Sequence, residues 1–148
     1  MDQQRPSITE GFTGITQALA WHTLQILRFR HHGEGLGQTT PCALISLSVA
    51  AGLLASTTAI AAPLDNLPLP PLAYGLGVLV AVAVCFSFFG RAAATGFALV
   101  VAMTEPVCLV ARLLPFGSQI DFLLTAWFFA AKLSFVIRAG ISAGRTAK

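Results

Sequence analysis

Between residues 41 and 139 the chain is a near-unbroken succession of apolar runs, several of them long enough to cross a lipid bilayer. A spanning helix needs about 20 predominantly apolar residues. Inside lipid every backbone N–H and C=O must find its partner within the protein, which leaves only helices and closed barrels. The runs lack the period-2 alternation of a barrel strand, so the reading is an all-α integral membrane protein. Composition agrees: 55% of the 148 residues are hydrophobic and 10% are charged, where a soluble domain carries roughly 25% charged residues.

Breaker residues divide this region into four transmembrane helices, 41–62, 72–89, 92–114 and 119–139. They form one domain, 41–139, between an N-terminal segment, 1–40, and a basic tail, 140–148. Thr39 or Thr40 can cap the first span, with Pro41 at its first position, where a missing amide does no harm. Ala51, Ala55 and Ala59 line one stripe of it, with Gly52 and Ser56 alongside, and small residues four apart let helices approach closely in lipid. Segment 63–71 holds four prolines and no basic residue, so it reads as a stiff extended connection. Gly90-Arg91 is a very short turn. Pro115-Phe116-Gly117-Ser118 is another, with Ser118 as the cap of the last helix.

Ahead of the spans, Ile8, Phe12, Ile15, Leu19, His22 and Ile26 recur at spacings of four and three, so residues 8–30 form an amphipathic helix. Two placements are open. The helix lies in the cytoplasmic headgroup layer, with Trp21, Arg28, Phe29 and Arg30 touching the membrane surface. Alternatively it docks on the chain's own bundle or on a partner. Gly33, Gly35 and Gly37 read as a flexible hinge, because a phosphate-binding loop would need a preceding strand.

A net charge of +3 is too small to point to nucleic acid, but its distribution sets an orientation. With four spans and both termini in the cytoplasm, Arg5, Arg28, Arg30, Arg91, Arg138, Arg145 and Lys148 all fall on the cytoplasmic side, as the positive-inside rule favours. A bacterial inner membrane is the expected location. The end of the first span, Ala59-Ile60-Ala61, has the form of a signal-peptidase site, so a pilin-like precursor with a long leader is an alternative.

Four charges sit inside the last two apolar runs: Glu105, Arg112, Asp121 and Lys132. A charge at mid-bilayer depth costs roughly 2.5–3.5 kcal/mol even on lenient scales, so each needs a partner or water. In an antiparallel hairpin turning near Phe116, Arg112 faces Asp121 as a structural ion pair. Glu105 is then opposite Phe128, with Lys132 one turn beyond. Pro106 is expected to kink the helix beside Glu105, and Thr104 and Thr125 would complete a candidate polar site. Such a site would hold a proton or cation. The favoured reading is structural, with Glu105 paired to Lys132 or to a partner subunit.

No catalytic constellation, cofactor fingerprint or metal-ligand spacing is present. Cys42, Cys85 and Cys108 are read as small packing residues, and His31-His32 with Glu34 as solvated. Small multidrug transporters are similar in having four short helices and one key glutamate, but theirs is in the first helix, which here has no acidic residue. The basic amphipathic segment resembles that of bacterial relatives of the Yip family, without their motifs and with one span fewer, so no family is assigned. The expected function is a non-catalytic subunit of a larger inner-membrane assembly of secretion, conjugation or respiratory type. It would contact the bilayer and other membrane-protein subunits or copies of itself. The alternatives are a small proton- or cation-coupled transporter using Glu105, or a pore-forming or membrane-remodelling protein.

Overall fold

The computed structural model describes residues 8–30, 35–61, 69–114 and 116–146. The order of elements is α1 (Ile8–Leu27), a 3-10 turn (Leu36–Gln38), α2 (Pro41–Ala61), α3 (Pro71–Arg112) and α4 (Gly117–Thr146). The described residues form no strand. Among the described residues three helices are long and apolar enough to cross a membrane: α2, α3, and α4 over Gln119–Ile141. The expected 63–71 connection falls largely outside the described residues.

Five helices were expected and four are found among the described residues, because the second and third expected spans are one element. α3 has 42 residues, which as a straight rod would be about 63 Å long, twice the ~30 Å of a hydrocarbon core. It is not a uniform rod. At Gly90 the backbone leaves helical geometry, with φ 82° and ψ −178°. That region is open only to glycine, which has no Cβ to clash there. The expected two-residue turn is therefore a break at a single glycine. Pro106, where a kink was expected, keeps helical dihedrals.

α2 runs antiparallel to the first half of α3: Thr39 meets Arg91 at one end, and Gly52 meets Gly75 towards the other. α4 runs antiparallel to the second half, with Arg112 beside Asp121, Gly96 against Phe135 and Phe89 against Gly140. Residues 93–96 and 98–101 are buried without exception. Four consecutive helical residues span a full turn, so α3 is enclosed on nearly every side from Ala93 to Val101, whereas Pro106, Val107 and Val110 further along are exposed. The neighbours of the enclosed stretch in the core are Ile26, Leu36, Leu44, Val82, Cys85, Phe135, Val136 and Ala139.

The small-residue stripe of α2 is used inside the chain. Ala51, Gly52 and Ala55 are buried, and a Cβ on Gly75 would run into Ser56 Oγ and the Gly52 carbonyl. Backbones this close maximise dispersion contacts, which drive helix association where lipid offers no hydrophobic gain. Thr40 caps α2 as expected. Its Oγ1 accepts from the Ala43 amide at 3.3 Å, and Pro41 begins the helix.

α1 stops three residues short of its expected end. Phe29 adopts φ 58°, its amide donates to Ile26 O, and the Arg30 amide donates to Gln25 O. That pair of bonds is the Schellman stop, which normally has glycine at the left-handed position. Phenylalanine is tolerated there because its ring stands edge-on to Trp127, centroids 5.2 Å apart, and its carbonyl accepts from Arg138 Nη1. Thr23 and Ile26 are buried and Leu19 packs on the core, so the C-terminal half of α1 docks on the bundle. Of the expected hinge, Gly33 lies outside the described residues, while Gly35 and Gly37 flank the buried Leu36, which pins the 3-10 turn down. α4 continues to Thr146, beyond the expected 139, because Gly140 keeps a negative φ and packs under Phe89.

Candidate intramembrane polar site

The hairpin of α3 and α4 closes at Phe116, whose φ is 64° and whose carbonyl accepts from the Gln119 and Ile120 amides. Arg112 ends α3, where a cation is favoured by the helix dipole. Its Nε lies 3.0 Å from Asp121 Oδ2, with both side chains largely buried. The contact is one of opposite charges more than an aligned hydrogen bond, and Asp121 Oδ1 has no hydrogen-bond partner among the described residues. This ion pair is the one expected from the hairpin register, and it joins the two helices at the turn.

The rest of the expected site comes together only in part. Glu105 is half-buried, and among the described residues no basic group lies within the 4.0 Å of an ion pair. Lys132 is close enough to feel the Glu105 charge. Its Nζ lies over the Phe97 ring, 5.9 Å from the centroid, near the outer limit of a cation–π contact. Thr104 is buried, but its hydroxyl donates to Val100 O at 2.7 Å and so serves its own helix. Thr125 is exposed and does not complete a site with Glu105.

Two participants escaped the sequence reading. Cys108 is buried on α3, three residues after Glu105 and four before Arg112, and so on their side of the helix. Phe97 faces Lys132; the hairpin register that pairs 112 with 121 brings these two close as well, so this contact was legible. The groove beside the cluster, about 450 Å³, is lined by apolar side chains of Pro106, Val107, Val110, Ala111, Leu114, Ile120 and Leu124.

Of the four expected membrane-surface residues, Trp21 is 58% exposed and Arg28 and Arg30 are exposed. Phe29 is half-buried, its ring edge-on to the exposed Trp127. Among the described residues no three His, Cys, Asp or Glu side chains converge on a possible metal position. No protein family, curated protein or solved structure matches the chain.

Proposed function

We propose that this chain is a small non-catalytic membrane subunit, a four-span bundle that packs against other membrane proteins or copies of itself in a larger assembly. Glu105 carries this reading. It is a half-exposed carboxylate within an apolar segment, with no ion-pair partner among the described residues. Bare against lipid, such a group would be costly. A donor or cation on a neighbouring chain would satisfy it.

The four-span part of the proposal makes α3 cross twice, reversing at Gly90. Its length and the all-round burial of residues 93–96 and 98–101 favour this. The positive-inside rule then puts both termini and Arg91 in the cytoplasm, with the 112–117 turn outside. Single cysteines at Gln38 and Leu114, in a background without Cys42, Cys85 and Cys108, should label from opposite sides with an impermeant thiol reagent. Labelling from one side overturns this topology.

Mass measurement of the intact protein in mild detergent tests the assembly. Co-isolated chains, released by Glu105→Gln, are the expected result; a monomer before and after the change overturns the subunit reading. A second reading, proton- or cation-coupled transport through Glu105, rests on the same unpaired carboxylate and its proximity to Lys132. It requires Glu105→Gln to abolish gradient-driven flux in vesicles while any complex persists.

A further inference from the structure

A second, larger groove runs between α2 and the first half of α3, with a volume of about 530 Å³. Its walls include Ile45, Val49, Leu79, Val82, Ala83 and Phe86. Two hydroxyls lie along it, yet neither offers a free donor. Ser48 Oγ donates to Leu44 O at 2.7 Å and Ser87 Oγ to Ala83 O at 2.9 Å. The groove is therefore apolar in its chemistry as well as its composition. From Leu79 to the break at Gly90 the helix rises about 16 Å, close to the depth of one leaflet, roughly half of the ~30 Å hydrocarbon core.

One end differs from the rest. Arg91 lines the groove there. It is exposed, Nη1 donates to Thr39 O at 3.4 Å, and no carboxylate lies within 4.0 Å among the described residues. A guanidinium has five N–H donors, so this contact leaves most of its capacity for another acceptor. Pro41, the first residue of α2, lines the same end, so the positive end of that helix dipole adds to the charge of Arg91. An apolar slot of one-leaflet depth, with a cation at its mouth that has no carboxylate partner among the described residues, has the complementary charge and shape of a single lipid.

We propose that this groove holds one acyl chain of an anionic phospholipid, whose phosphate is bound by Arg91. The inference goes beyond the subunit reading but rests on the proposed four-span topology, in which the reversal at Gly90 brings Arg91 to the membrane surface. Anionic lipids concentrate in the cytoplasmic leaflet, the side to which the positive-inside rule assigns Arg91. Charge selects this lipid over the zwitterionic molecules of the general annulus.

The test is fluorescence quenching by brominated lipid in vesicles of phosphatidylcholine. Phe86→Trp reports from the groove and Phe129→Trp from an exposed position on α4, each in a Trp21→Phe, Trp127→Phe background. Brominated phosphatidylglycerol should quench the groove reporter with about fivefold preference over brominated phosphatidylcholine, the selectivity that one basic residue near the membrane surface supplies. Arg91→Gln should bring the ratio to one, and the α4 reporter should show no preference throughout. Arg91 is exposed, so the variant should unfold at the same temperature as its parent. Equal quenching by the two lipids in the groove, or a preference that survives Arg91→Gln, overturns the lipid site. No quenching of either reporter by either lipid overturns the membrane reading itself.

Discussion

Phe135 of α4 lies against Gly96 of α3 so closely that no side chain fits between them: a Cβ on Gly96 would overlap the ring edge at Cε1 and Cζ. Both residues are buried, and this contact sets how near the two helices come.

Gly96→Ala should therefore destabilise the bundle by about 1–3 kcal/mol, the usual cost of forcing an extra carbon into a packed core. Phe135→Leu alone should also destabilise it by leaving a gap. Combined with Gly96→Ala, it should cost less than the sum, because the added methyl fills space that the ring gave up. Thermal unfolding of the four variants in mild detergent provides the cycle. Strict additivity would show that the two residues do not meet.

Arg112 and Asp121 supply a second cycle. Removing either charge leaves the other largely buried without its partner, so Arg112→Ala or Asp121→Ala should each destabilise by roughly 3 kcal/mol. Replacing both should cost clearly less than the sum. The ion pair would be irrelevant if the double variant lost the full sum.

A Cβ added at Gly90 would meet no atom within 4 Å, so bulk is not what excludes other residues there. The dihedrals are. Gly90→Ala should cost about 1–3 kcal/mol through backbone strain alone. Gly77, where a Cβ likewise meets open space but the helix is regular, provides the control: Gly77→Ala should be neutral or stabilising by up to about 1 kcal/mol. Equal effects at the two positions would mean that the break at residue 90 is not required.

At Phe29 two terms oppose each other. The left-handed backbone favours glycine, whereas the edge-on contact with Trp127 favours an aromatic ring. Phe29→Ala loses the ring and keeps the strain, so it should be the worse substitution. Phe29→Gly loses the ring but relieves roughly 1–2 kcal/mol of backbone cost. Unfolding of both variants checks the order; glycine no better than alanine would remove the Schellman stop as the reason that α1 ends here.

Membrane-length apolar runs, the proline start of α2 and the pairing of Arg112 with Asp121 were all legible in the sequence. Each follows from a local rule: run length against bilayer thickness, the missing amide of proline, and register counted outward from a tight turn. What the sequence could not decide depended on neighbours from distant parts of the chain. The break at Gly90 fell where the sequence showed a turn, but Pro106 stays helical: proline costs one hydrogen bond, yet its φ suits a helix. Thr125 counted as part of a polar site by depth, yet it is exposed and Thr104 bonds its own backbone. Whether α1 lay on lipid or on protein was undetermined by amphipathicity, since either surface accepts an apolar face. The burial of Ile26 and the tie from Arg138 to the Phe29 carbonyl dock its C-terminal half on the bundle, through packing of residues more than a hundred positions apart.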